Sequence, residues 1–301
     1  MQKKKSWRKM RQGGKAQQKK RAWRLSAEDR TALELAGIDA SQTSELKDEE
    51  RFMVLADART QRKMAEQVTR NRCAQCWFHA DDCICSQFAR LKFRLDVRFL
   101  IYMHYIELFN AGNDAKILLS AAGEATQLFV YGRKGDDEKL RDRVHGNEQT
   151  TVLLYPSDDA FSVEQIRPSL LPAAKQKPIQ IIVVDGTWRQ VRTMLKHFQK
   201  TISKVVRLIK LSPTALSVYA RTQTEPGRIS TIEAIALLVQ ELGEDPDVCS
   251  SIISYLQINN QNVDKGKCRP AERPAKKQRR ERVQAQRIAE EKEGGGGGGA
   301  A

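Results

Sequence analysis

The chain has 301 residues, of which 40% are hydrophobic and 30% charged, and a formal net charge of +15. That length supports one large α/β domain with appendages or two small domains, and a mean hydropathy of -0.56 places part of the chain outside any core. No apolar run approaches the roughly 18 residues of a membrane span, and the basic excess favours a polyanionic partner, nucleic acid ahead of an anionic membrane surface.

Residues 1 to about 30 are a basic arm with Trp7 and Trp23 set among lysines and arginines. With few aliphatics it is expected to be disordered without a partner. It reads as a solvated tail, or as an RNA-binding arm whose tryptophans stack on bases; a nuclear-localisation signal is a further reading. No apolar stretch follows the basic residues, so a secretory signal is not expected, and the protein should be soluble and cytoplasmic. From Ser26 to Arg70 the pattern turns helical, with Leu35, Ile38, Phe52, Leu55, Met64 and Val68 at amphipathic spacing.

Four of the six cysteines, Cys73, Cys76, Cys83 and Cys85, crowd into thirteen residues as C-x2-C-x6-C-x-C. In a reducing compartment this reads as metal ligation rather than a disulfide framework. Four thiolates close a tetrahedral zinc shell and leave no open position, so the metal is expected to be structural. His79 inside the loop is a weaker ligand candidate than any of the four. Cys249 and Cys268 stand apart.

Alternating elements follow. Strands are expected at Val97–Met103, at TQLFVYG from Thr126, at Thr151–Pro156, at Pro178–Asp185 and at Val205–Leu211. Helical patterns lie between them at NDAKILLSAAG from Asn113, around Asp137–Arg143, and at RQVRTMLKHF, where Val191, Met194, Leu195 and Phe198 share a face. Such alternation indicates a mostly parallel sheet. The most informative strand is PIQIIVVD: its unbroken β-branched run predicts burial on both faces, and it ends on Asp185 before Gly186. An acidic residue at the carboxyl end of a strand is the usual address of a ligand in an α/β sheet; the plainer reading makes Asp185 or Thr187 a helix cap.

In RISTIEAIALLVQELGE, Ser230 and Glu233 form a capping box. Ile232, Ile235, Leu238, Val239 and Leu242 make the apolar face, and Gly243 stops the helix. A last helix is expected over Val248–Ile258. Beyond Gln261 the chain is Lys/Arg-rich and ends in GGGGGGAA, a flexible composition. The segmentation is therefore a basic arm and helical lead-in over 1–50, a helix and four-cysteine segment over 51–95, an α/β domain over 96–260, and a basic tail over 261–301.

Five separated pieces occur in register: the Cys73–Cys85 cluster, His104-x-x-Glu107, LLYP at Leu153–Pro156, DGTW at Asp185–Trp188, and ISTIEA at Ile229–Ala234. Together they resemble the DTW-domain family of tRNA-uridine aminocarboxypropyltransferases over roughly residues 70 to 245. The resemblance implies a fold similar to the knotted SPOUT methyltransferases, with helices on both faces of the sheet. It implies an enzyme that moves the 3-amino-3-carboxypropyl group of S-adenosylmethionine to N3 of a tRNA uridine and releases methylthioadenosine. One departure stands out: many relatives carry N-T-G or N-T-A where this chain has Asn113-Asp114-Ala115, and either Asn113 or Asp114 would serve as a helix N-cap.

On this reading Asp185 is the candidate base for the uridine imide, provided burial raises its pKa; the competing role is an ionised group acting by position and charge. Leu154, Tyr155 and Pro156 sit in a strand-exit loop similar to the one the family uses for the donor, with Thr187, Trp188, Ser230 and Thr231 as further donor-binding candidates. Tyr155 and Trp188 also read as core aromatics, and Ser230, Thr231 and Glu233 are fully explained by the capping box. His104 and Glu107 are candidate substrate contacts, with a buried core histidine as the alternative. Arg189, Arg192, Lys196 and His197 lie off the apolar stripe of their helix and are candidates for tRNA phosphates, against a plain solvated face. Two competing functions remain: a SPOUT-type RNA methyltransferase using the same donor, and a zinc-stabilised RNA-binding protein without catalysis.

Overall fold

A computed structural model describes residues 24–211 and 229–268. The basic arm with Trp7 and Trp23, and the Gly-rich tail, lie outside the described residues. The chain divides into two compact units, Met1–Arg62 and Lys63–Ala301.

In the first unit, helix α1 (Ala27–Leu35) starts at Ser26, whose side chain accepts the Asp29 amide. Helix α2 (Asp48–Thr69) begins here and ends in the second unit. Ala32, Leu33, Leu55 and Ala58 make a small core, with Leu25, Ile38 and Val54 packed on it, and Arg59 Nε donates to Asp29 at 2.7 Å. Helices are found where the pattern predicts them, but their buried face differs. Leu55 is buried as expected, whereas Leu35, Met64 and Val68 are exposed.

The second unit holds a six-stranded sheet among the described residues. Its strands are β1 (Val97–His104), β2 (Thr126–Tyr131), β3 (Thr151–Leu154), β4 (Phe161–Ser162), β5 (Ile179–Asp185) and β6 (Arg207–Lys210). The order is β2-β1-β5-β3-β6-β4, and every pairing is parallel. All five expected strands are present. In β5 every residue but Val184 is buried. Since neighbouring side chains point to opposite faces, both faces of this central strand are covered.

Helices α3 (Tyr105–Leu108), α4 (Ile117–Ala121), α5 (Asp136–Val144), α6 (Val163–Ala173), α7 (Trp188–Thr201), α8 (Thr231–Leu242) and α9 (Pro246–Cys268) complete the unit. Three features depart from the sequence pattern. The expected loop after β3 contains the two-residue β4, and α6 follows it. Pro168 and Pro172 lie inside α6 and mask its pattern, yet Val163, Ile166 and Leu170 are buried at helical spacing and Ser162 with Gln165 forms a capping box. The NDAKILLSAAG helix is broken into a 3-10 turn at Asp114–Lys116, the short α4, and a second turn at Gly123–Ala125. Finally, α9 continues to Cys268, past Ile258 where its apolar pattern fades. No helix among the described residues is long and apolar enough to cross a membrane.

Parallel pairing brings all carboxyl ends to one edge of the sheet. The register sets Met103 against Asp185 and His104 against Tyr131, so His104 and Asp185 leave adjacent strands side by side.

Candidate active site and metal centre

The four cysteines converge. Their sulfurs all lie within 4.8 Å of one another, with Cys73 to Cys85 at 3.8 Å and Cys76 to Cys83 at 3.9 Å. A tetrahedron with metal–sulfur bonds of about 2.3 Å has sulfur–sulfur edges of about 3.8 Å, so the donor set fits a closed zinc shell. The turn that makes this possible is tight: the Trp77 amide donates to Cys73 O at 3.0 Å and the Cys73 amide to Phe78 O at 2.9 Å. It requires φ of +61° at Trp77, a conformation that costs a side-chain-bearing residue energy. Contact with the Cys85 sulfur, together with burial, pushes the Cys76 thiol far above its ordinary value. A bound cation would reverse that by holding the sulfurs as thiolates. His79 is not part of the cluster; its Nδ1 accepts the Asp81 amide at 3.4 Å and lies 3.1 Å from the Asp81 carboxylate.

At the carboxyl edge, Asp185 is buried with 4% of its surface exposed. Asn113 Nδ2 donates to its Oδ2 at 2.5 Å and Thr231 Oγ1 donates to its Oδ1 at 2.8 Å. Burial raises its pKa to about 6; the nearby Asp114 carboxylate and, less, Glu107 add to this, while the Asn113 and Thr231 hydrogen bonds oppose it. A carboxylate near 6 is still mostly ionised at neutral pH, and about a hundredfold stronger as a base than an ordinary one. Asp114, itself 4% exposed, accepts the Ile232 amide at the start of α8 at 2.8 Å. Neither Asn113 nor Asp114 caps its own turn with its side chain; both reach across to other elements.

His104 is buried, and its Nδ1 accepts the Ile106 amide at 3.3 Å. Burial lowers its pKa to about 4, so at neutral pH the ring is uncharged with its proton on Nε2. Its ring packs on Tyr105 and Tyr131 at 4.9 and 5.7 Å. Glu107 is half-buried and accepts Asn110 Nδ2 at 3.2 Å. Lys116, which the sequence reading passed over, is buried and donates to Leu108 O and Asn110 O at 2.8 and 2.7 Å. That anchors the loop running from α3 to Asn113.

Thr187 is the cap of α7, in a capping box with Gln190, and Ser230 caps α8 in the expected capping box with Glu233. Leu154 ends β3, and the Tyr155 amide donates to Ile209 O at 2.9 Å. Pro156 is exposed, and the rings of Tyr155 and Trp188 lie 6.3 Å apart. Arg189, Arg192 and Lys196 are exposed on α7. His197 is not exposed with them. It is buried, with Nε2 2.7 Å from Asp137, whose other oxygen accepts the Tyr102 hydroxyl at 2.8 Å. Its position off the apolar stripe reflects this buried polar pair and not a solvated face.

Of the residues the sequence singles out, Asp185, Thr231, His104 and Asn113 are thus joined or adjacent. The sequence reading missed Lys116 and gave Asn113 and Asp114 only a capping role. The available signal was that NDAK packs an amide, a carboxylate and an ammonium into four residues beside H-x-x-E.

The DTW domain family matches residues 70–263, a span holding both the four cysteines and the Asp185 site. The tRNA-uridine aminocarboxypropyltransferase 2 of Drosophila melanogaster is 25% identical over 192 residues, 62% of this chain and 72% of the fly protein. The Mus musculus protein of the same name is 20% identical over 190 residues, 62% of each chain, so this chain spans just under two thirds of the mouse relative. No solved structure matches it. With the matched domain covering well over half of its length, the chain belongs to the DTW-domain family.

Proposed function

We propose that this protein is a tRNA-uridine aminocarboxypropyltransferase, moving the 3-amino-3-carboxypropyl group of S-adenosylmethionine to N3 of a tRNA uridine. The observation that carries the reading is Asp185: a buried carboxylate at the end of the central strand, held through both oxygens and with its pKa raised to about 6. The relatives' shared name supplies the reaction class.

The uridine imide is a poor nucleophile until its N3 proton leaves, and a positioned carboxylate is a sufficient acceptor. S-adenosylmethionine supplies a sulfonium whose bond to the γ-carbon breaks as N3 bonds to that carbon, leaving the electron pair on sulfur and neutral methylthioadenosine as product. The chain's residues do the remainder. Asp185 takes the N3 proton, while Asn113 and Thr231 keep its oxygens from turning away. His104, uncharged at neutral pH, adds no positive charge to compete with a cationic donor, and Glu107 borders the uridine side. Tyr155 and Trp188, two neighbouring aromatic rings inclined to one another, are suited to contact an adenine, with Leu154, Pro156, Thr187 and Ser230 as further donor contacts. The carboxylates of Asp185, Asp114 and Glu107 favour the positive charge of sulfonium and ammonium.

Exposed Arg189, Arg192 and Lys196 on α7, together with the net charge of +15, support tRNA as the partner through phosphate contacts. Zinc on Cys73, Cys76, Cys83 and Cys85 is structural and takes no part in the reaction. The interleaving of β5 between β1 and β3, and of β6 between β3 and β4, supports a SPOUT-like knotted catalytic domain over about 96–260.

Donor labelled in the aminocarboxypropyl carbons, incubated with unmodified tRNA, is the test. Label in a tRNA uridine together with methylthioadenosine is expected. Label left in S-adenosylhomocysteine would mean methyl transfer instead, and absence of donor binding by calorimetry would mean an RNA-binding protein without catalysis.

A further inference from the structure

The capping box at α8 looks complete in the sequence, yet it does not serve the Ile232 amide. Ser230 Oγ accepts the Glu233 amide at 3.4 Å, and Glu233 Oε2 accepts the Ser230 amide at 2.7 Å. A helix start carries four amides without intrahelical partners, and the Ile232 amide, between these two, is served by neither side chain. It lies fully buried with Ile232. Its acceptor comes from a distant stretch of chain, Asp114 Oδ2 at 2.8 Å.

We propose that Asp114 is the positioning residue of this site, its buried carboxylate tying the start of α8 to the Asn113 turn so that Thr231 and Asn113 grip the two oxygens of Asp185 together. The geometry is a closed ring of three hydrogen bonds between two adjacent pairs and one carboxylate. Asn113 bonds Asp185 Oδ2 while its neighbour Asp114 bonds Ile232; Thr231, the residue before Ile232, bonds Asp185 Oδ1. Cutting the Asp114 link frees α8 to drift from the turn, and then Asp185 can keep one donor but not both. A carboxylate is a stronger acceptor for a helix-terminal amide than a hydroxyl, because charge and helix dipole act together.

The charge has a second consequence. The Asp114 carboxylate beside Asp185 makes the ionised form of Asp185 less favourable, the second-largest influence after burial. The other titratable groups on the elements meeting there are His104 on β1, Glu107 on α3, Lys116 after the turn, Arg189 on α7 and Glu233 on α8. Asp114 thus sets both where the Asp185 carboxylate stands and how readily it takes a proton. This rests on the reading of Asp185 as the proton acceptor only for its effect on rate, not for its effect on the carboxylate itself.

Two variants separate the parts. Asp114→Asn keeps an oxygen for the Ile232 amide and removes the charge. Asp114→Ala removes the acceptor altogether. In full-length protein labelled with carboxyl-13C aspartate, the Asp185 carboxyl of Asp114→Asn should titrate about one pH unit lower than in wild type, and the acidic limb of the kcat profile should move with it. The Ile232 amide should stay protected from hydrogen exchange in Asp114→Asn and lose protection in Asp114→Ala, whose kcat should fall at least tenfold. If Asp114→Ala does not fold, Asp114→Asn alone decides. Ile232 protection and kcat both retained in folded Asp114→Ala overturn the positioning role, and an unmoved Asp185 titration in Asp114→Asn overturns the influence of its charge. A shifted titration without any transfer activity would retain it and refute the proposed reaction instead.

Discussion

The metal loop and the acid site face the same physical problem and solve it differently. Each gathers like groups into a small volume: four sulfurs within 4.8 Å, and the carboxylates of Asp185 and Asp114 with Glu107 nearby. The sulfurs stand at the spacing of a closed metal shell, where a cation would turn their crowding into attraction. The carboxylates are given neutral donors, an amide from Asn113, a hydroxyl from Thr231 and a backbone amide for Asp114. The residual repulsion is left in place as a raised pKa. One cluster has the spacing of a site that an ion would complete, and the other is preorganised by the chain alone.

The two regions also touch. Trp77 packs on Phe109 with centroids 5.3 Å apart, and Ser120 Oγ donates to Gln75 at 2.9 Å. On α9, Asn262 Nδ2 donates to Asp82 O in the metal loop at 2.8 Å, and Asn259 Nδ2 reaches Gly112 O, just before Asn113, at 3.5 Å.

The largest effect should therefore come from removing the ion. Structural zinc contributes on the order of 10 kcal/mol of binding free energy in small sites, so chelation, or Cys76→Ser with Cys83→Ser, should remove about one equivalent of metal and lower the melting temperature sharply. Metal analysis and calorimetry check this, and metal retained by the double variant would contradict it.

A smaller effect is expected from thinning the neutral donors. A hydrogen bond to a buried charged group is worth about 2 kcal/mol, so Thr231→Val should raise the Asp185 pKa by about one unit. The acidic limb of the rate profile would move up, opposite in sign to Asp114→Asn. Movement of both variants in one direction would mean that hydrogen bonds and charge are not the opposing influences described.

Legibility from sequence divides along the same line. The metal loop was readable because ligand spacing is local: four cysteines in thirteen residues leave few alternatives. Strand β5 was readable because a β-branched run records burial directly, and the capping box at Ser230 because both partners sit three residues apart. The ring around Asp185 was not readable, since Asn113, Asp185 and Thr231 meet only after the sheet has set its register. Asn113 and Asp114 looked like caps because, locally, that is what such residues do. His197 misled in the opposite way: its partner Asp137 lies sixty residues away, and without it a polar residue off the apolar stripe looks solvated.

An effect of similar size is one that wild type hides. His104 has a folded pKa of about 4 against an unfolded value near 6.5, so its contribution to stability is lost as pH falls from 6.5 to 4, by about 3 kcal/mol. Asp185 is raised from 3.8 to about 6, so the cost of its buried charge is relieved as pH falls over nearly the same window, by about 3 kcal/mol in the opposite direction. Wild type should show little net slope from these two groups. Asp185→Asn removes the compensating one and should lose about 3 kcal/mol more than wild type between pH 6.5 and 4. Denaturant titrations at the two pH values check this, and parallel stability curves would contradict it.

Asp185 as proton acceptor is the central claim, and single-turnover formation of 3-(3-amino-3-carboxypropyl)uridine by wild type and Asp185→Asn across a pH series tests it most directly. The amide preserves size and loses basicity, so transfer at neutral pH should fall by about a thousandfold or more while tRNA binding survives. Raising the pH should recover part of the rate as the imide ionises by itself. Near-normal turnover by the folded variant at pH 7 would contradict the account and leave Asp185 as a structural tie between β5, the Asn113 turn and α8.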